Sequence, residues 1–353
     1  MVAAPASKEH GFTERLRLSA VALGDASVDV ADLVLLALLT GAWEEFEQRV
    51  ARGLALEALE LSPIEPEEIR AAATHFRYGH NLVSASDFRE WLGERSLRVA
   101  DIEGVIRRRM LRERERERPT SGPSDIAAAL WAEAVCGGVL RHLALAAADR
   151  LAAAYRLGDE APGSLTIGRE QSTLELAMRC TATGLPGLGE DELRRRLRRL
   201  LSLGEALERL RERVADDEAI QRCLSSHLLD WLRIGGDELI FSTEGSAREA
   251  RLLIVDDELP LADVAGRAGV TVTPRQLVLD SAPAEASAAL VACPPGEIAG
   301  PWLEEERWRL LAVAVKEPPS VHDEVMRERA TAELLRDVLD RTLAGRVGWL
   351  QAL

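Results

Sequence analysis

The stretch PPGEIAGPWLEEERWRLLAVAVKEPPS, residues 294–320, decides how the C-terminal third folds. It opens with a turn at Pro294–Gly296, passes through a short arm and continues as the strand RWRLLAVAVKE, which Pro318 and Pro319 stop. The small and apolar side chains of that strand suit the middle of a sheet. Upstream, APAEASAALVACPPGEIAGP is a helix running into the turn, and TVTPRQLVLD alternates as a strand does. EGSAREARLLIVDDELPLADVAGRAGV is a helix followed by a shorter one, and DELIFST is the first strand. The order βααβαβ predicts a small α/β module over residues 235–319, entered through a helix-ending turn at Gly235–Gly236.

Around the module the chain reads mainly as helix. VALGDASVDVADLVLLALLTGAW predicts a short strand and then one or two helices. Asp29 and Asp32 stand at the helix start, and Leu33, Leu36, Ala37 and Leu38 form the apolar stripe. Ser62 and Glu65 suit a capping box for a helix from Pro66 to about Tyr78. Ser86 would cap a short helix carrying Phe88, Trp91 and Leu92. The next helix, opening at Val99 or Asp101, turns Val105, Ile106 and Met110 inward. PTSGPS, residues 119–124, is the clearest linker. The predicted organisation is α+β: a helical domain over 1–118, a helical middle segment over 119–234, the module over 235–319 and a closing helix over 320–353.

Composition narrows the function. Hydrophobic residues make up 47% and charged residues 29%, a globular rather than a disordered balance. A net charge of −15 opposes non-specific binding to a nucleic-acid backbone. In RERERER, residues 112–118, Arg112 with Glu115 and Glu113 with Arg116 are partners on one helix face, which gives a solvated, salt-bridged end. Arg107, Arg108 and Arg109 are the more informative cluster. Cys136, Cys180, Cys223 and Cys293 are scattered, as buried thiols in a reducing compartment are. The start lacks a basic segment followed by an apolar one, and VADLVLLALLTGAW is too short to span a bilayer, so a cytoplasmic location without a membrane partner is expected.

DELIFST with AREA, then LADVAGRAG, then GEIAGPWLEEERWRLLAVAVKEPPS resemble a parvulin-type peptidyl-prolyl isomerase domain. They match its first strand and helix, its second helix, and its turn, arm and closing strand. LGDASVDVADLVLLALL, the helix start SPIEPEEI and NLVSASDFREWLGERSLRVADIEGVIRRRMLRE resemble the chaperone SurA. In that family a closing helix packs back onto the N-terminal helices, a role the resemblance implies for residues Val321 to Trp349. Parvulins carry histidines on the first and last strands. The matching positions here hold Glu238 and Arg309, with Trp308 in the place of the usual tyrosine, and none of the six histidines lies in the module. The resemblance thus implies a mainly helical SurA-like body carrying a degenerate parvulin-like module, without isomerase activity. The combination is similar to peptide-maturation proteins of ribosomal natural-product pathways, including the peptide-binding proteins of the crocagin pathway. That similarity implies a chaperone-like, cofactor-free protein that binds a precursor peptide and presents its core to tailoring enzymes. The alternative is a pathway enzyme completing a cyclisation on the bound peptide.

The candidate peptide contacts are Trp308, Arg309, Glu238, Phe241 and Trp231, with Arg107 and Arg108 for acidic residues of the peptide. Glu238 and Arg309 equally suit an interstrand pair. GGDEL, residues 235–239, matches the signature of diguanylate cyclases, but that domain also needs an upstream metal-binding Asp and a lysine-bearing phosphate-binding stretch. The preceding ERVADDEAIQRCLSSHLLDW has neither a lysine nor a strand around its acids. His75 and His80 are five residues apart, on different faces of a helix, which disfavours a metal pair. GxSxG, Walker and HExxH motifs are missing.

Overall fold

A computed structural model describes residues 15–59, 63–118, 126–158 and 189–349. The fold is α+β, largely helical with two small antiparallel sheets. The chain divides into two compact units. One takes the residues up to Leu210 together with those from Val338 onward, and the other takes Arg211–Asp337. The middle segment expected over 119–234 therefore does not stand apart, because its helices divide between the two units.

In the first unit, β1 (Ser19–Leu23) lies between β2 (Ala26–Asp29) and the last strand, β7 (Val347–Trp349). Asp29 then caps α1 (Val30–Leu39): it accepts from the Asp32 backbone N–H at 2.9 Å, and Asp32 accepts from that of Asp29 at 3.2 Å. Every residue from Val30 to Leu38 is buried, as a helix apolar on all sides requires. There follow α2 (Ala42–Ala58), α3 (Pro66–Gly79), α4 (Ala85–Glu94), α5 (Val99–Arg114), α6 (Ala127–Cys136), α7 (Val139–Leu157) and α8 (Glu190–Val214). Helix α1 packs on α7, while α5 packs on α2, α3 and α6. Gly53 permits the α2–α5 approach, since a Cβ there would press on Arg108 and Arg112. Arg196 and Arg199 of α8 reach Asp29 and Asp32 at 2.7–3.1 Å and fix α8 to the start of α1.

Two helix starts differ from expectation. Pro66 does open α3, but the cap is Glu65, whose N–H donates to the Glu68 carboxylate at 3.0 Å and whose carbonyl accepts from the Glu68 N–H at 3.0 Å; Ser62 lies outside the described residues. Helix α4 is capped by Ser84, which accepts from the Asp87 N–H at 3.0 Å, while the Ser86 hydroxyl only meets that of Ser84. Among the described residues no single helix is long and apolar enough to cross a membrane; the apolar α6 and α7 bend 63° apart.

The second unit contains α9 (Asp217–Ser226), β3 (Arg233–Phe241), α10 (Glu244–Val255), α11 (Leu261–Ala268), β4 (Thr273–Val278), α12 (Ala284–Ala292), β5 (Ile298–Glu304), β6 (Arg307–Glu317) and α13 (Glu324–Leu343) as far as Asp337. The strands order as β4-β3-β6-β5, all antiparallel. The arm expected before the last strand is itself a strand, so the module runs βααβαββ. Strands β5 and β6 form a hairpin through Glu305 and Glu306, whose φ values of 50° and 60° give the left-handed pair that a tight hairpin demands. The Gly235–Gly236 turn is also corrected. Both glycines lie inside β3 at a bulge against β6, where a side chain at Gly236 would collide with the Ala312 carbonyl.

Alternation along the strands sends adjacent residues to opposite faces. Leu239, Phe241, Leu310 and half-buried Trp308 face α10 and α11. Leu311, Val313, Ala299 and Trp302 face α12. A third cluster joins Ile220, Cys223 and Leu224 of α9 to Trp231 and to Met326 and Ala330 of α13. The start of the closing helix thus belongs to the core of the second unit, and its end and β7 to the first.

Candidate functional site

The register that pairs β3 with β6 brings Glu238 and Arg309 together, Oε2 to Nη1 at 3.0 Å. Two residues not anticipated from the sequence complete the arrangement. Arg275 on β4 holds the other oxygen of Glu238 and both oxygens of Glu304, the latter at 2.8 and 2.9 Å, and Arg309 Nε meets Glu304 at 3.2 Å. The result is a closed ring of alternating charge drawn from all four strands. Trp302 Nε1 donates to Glu304 at 3.3 Å and Glu305 takes a remaining Arg309 donor. Burial pushes the Glu304 carboxyl up, but hydrogen bonds from Arg275 and Trp302 and the nearby guanidinium charges prevail, and it sits below the ordinary glutamate range. A ring in which each charge already faces its opposite is a cross-strand clamp, and it presents no unpaired acid or base.

The other candidate residues lie elsewhere. Trp308 points to the face opposite Arg309, as adjacent strand residues must, so the two do not line one groove. Phe241 is core. Trp231 is buried, stacked on His227 at 4.4 Å and lying under the Arg329 guanidinium. In the first unit, Arg108 is buried and binds Glu133 at 2.6 Å and Glu57 at 3.2 Å, while Arg107 shares Glu57 at 3.3 Å. These two arginines tie α5 to α2 and α6. The charges of the RERERER tract pair both across elements, Arg112 with Glu133 and Arg114 with Glu68, and along the chain, Glu113 with Arg109 and Arg118 with Glu115.

A groove of about 1080 Å³, lined wholly by the first unit, lies between α2, α3, α5 and the α6–α7 junction. Its floor is Ile102, Val105, Ile106 and Met110, and Phe46 and Phe76 form the walls. Ala71 and Ala72 on α3 leave the space open. The lining residues of α5, from Ile102 to Arg116 just past its end, extend roughly 20 Å. Five arginines (Arg49, Arg52, Arg109, Arg112 and Arg116) share the lining with three glutamates. Arg52 donates to the carbonyls of Glu115 and Arg118 and so closes the end of α5. Arg109 pairs with Glu113 at 3.0 Å. Arg49 lies over the Phe46 ring, and among the described residues neither Arg49 nor Arg116 has an acidic partner. Cys136 reaches the groove, but burial, with the Glu133 and Asp101 charges, pushes its thiol up to about 12, so it is not an activated nucleophile. The inward turn of Val105, Ile106 and Met110 was legible from periodicity; their meeting with Phe46 and Phe76 was not.

Among the described residues no three of His, Cys, Asp or Glu gather to hold a metal ion. His75 lines the groove, whereas His80 packs on Phe76 and Trp91. No protein family model and no curated protein matches the chain.

Proposed function

We propose that this protein binds a ribosomal precursor peptide and presents its core to tailoring enzymes, without isomerising prolyl bonds. The observation that carries the reading is the groove of the first unit. It is apolar along its floor, rimmed by arginine, and at about 1080 Å³ sits at the upper end of small-molecule sites, a size suited to a peptide segment. The ring of Glu238, Arg275, Glu304 and Arg309 supports the second half of the reading. At the two positions where resemblance to parvulins implies histidines, Glu238 and Arg309 neutralise each other.

The test is calorimetric titration with synthetic short peptides encoded beside the gene, together with a protease-coupled assay on a prolyl tetrapeptide. One of the peptides binds and the isomerisation rate equals the blank. The reading fails if none binds, or if isomerisation is accelerated.

A further inference from the structure

We infer that the occupant of the groove is an acidic amphipathic helix of about four turns, lying along α5 with its carboxylates toward Arg49 and Arg116. The inference rests on the peptide-binding reading above and adds the conformation and charge of the bound segment.

Conformation follows from what the walls offer. The groove is built from helices, whose backbone groups are satisfied within each helix, and no sheet edge lines it. An extended segment laid there would leave its own N–H and C=O groups facing Ile102, Val105, Ile106 and Phe76 without partners. A helix satisfies its backbone internally and needs only an apolar stripe to set against the floor. Length agrees: roughly 20 Å of α5 matches about 14 helical residues.

Charge follows from the rim. In a chain of net charge −15, this opening gathers five arginines against three glutamates. Glu133 is only 4% exposed beneath Arg108 and Arg112, and Glu113 is held by Arg109. The third glutamate, Glu45, is an exposed carboxylate one turn before Arg49 on α2. Against it stand exposed Arg49, exposed Arg116 past the end of α5 and half-buried Arg52, whose partners are carbonyls, so the lining keeps an excess of positive charge. Carboxylates on the flanks of a docked helix complement that excess, and a basic helix would meet repulsion from it.

The probes are three fluorescein-labelled peptides: an amphipathic helix with leucine on one face and glutamate on the flanks, its lysine counterpart, and the glutamate peptide with a central proline. Anisotropy is read at low and high salt on the full chain. The glutamate peptide binds about tenfold or more tighter than the lysine peptide and weakens with salt, and the proline version binds markedly less. Arg49→Glu, a surface change, reverses the preference between glutamate and lysine peptides, and Ala72→Trp, which fills the groove, abolishes binding of both. Equal binding of the glutamate and lysine peptides, or an unchanged preference in Arg49→Glu, overturns the charge assignment. Equal binding of the proline peptide overturns the helix. If an encoded precursor binds but the glutamate peptide does not displace it, the inference fails while peptide binding stands; if neither binds, both fail.

Discussion

Arg108 reaches Glu133 and Glu57 from the middle of α5, and Glu133 is 4% exposed. Removing one partner of such a buried pair leaves the other charge without compensation. Arg108→Ala is therefore expected to cost about 3–5 kcal/mol in urea unfolding, whereas Arg107→Ala, an exposed partner of Glu57, costs under about 1 kcal/mol. Equal urea midpoints for the two variants would show that the buried network does not hold α5. Glu304 gives a pH signature. Its folded pKa lies below its unfolded one, so the unfolded chain takes up the proton first. The stabilisation is complete above the ordinary value of about 4.5 and is lost as pH falls through the lower folded value. Thermal scans from about pH 6 to about pH 3 should show the melting temperature falling less steeply in Glu304→Gln than in wild type. Parallel curves would mean that the ring does not favour the ionised carboxylate.

At the scale of elements, the β5–β6 hairpin turns through two glutamates at positive φ, positions where asparagine and glycine are at ease and other residues cost on the order of 1 kcal/mol. Glu305→Asn with Glu306→Gly should raise stability by about 1 kcal/mol, because the lost Glu305–Arg309 pair is exposed on the glutamate side and contributes little. A lower urea midpoint would refute this. The same turn explains what the sequence concealed. A reader looking for Asn-Gly between alternating strands meets LEEERW and sees an arm, so β5 is missed although β6 is plain. Gly235–Gly236 misled in the opposite direction, since paired glycines signal a turn unless the facing backbone is known to be close. Local signals were readable: Asp29 with Asp32 at the head of α1, Pro66 at the head of α3, and the inward stripe of α5. The groove and its network depend on pairs such as Arg108 and Glu57, 51 positions apart, which no local pattern reveals.

On the scale of the whole molecule, the closing segment serves both units in turn. Met326 and Ala330 of α13 are 2% and 0% exposed against Ile220, Leu224 and Trp231 of the second unit. Val347–Trp349 pair with Leu23–Val21 of the first unit, which gives β1 its second neighbour. Two truncations separate these contributions. A chain ending at Leu343 keeps α13 and loses β7, so hydrogen exchange should accelerate in β1 and α1 while the amides of α9 and β3 stay protected. A chain ending at Pro319 loses both elements. Burying Met326 alone is worth about 1.5–3 kcal/mol, and its loss bares Trp231 and the apolar face of α9. Against a typical domain stability of about 5–15 kcal/mol, losing the whole helix is expected to abolish cooperative melting of the second unit as well as to loosen the first. If the chain ending at Pro319 keeps α9 and β3 protected and changes only β1, the helix contributes nothing to the second core, and the closing segment completes the first unit alone.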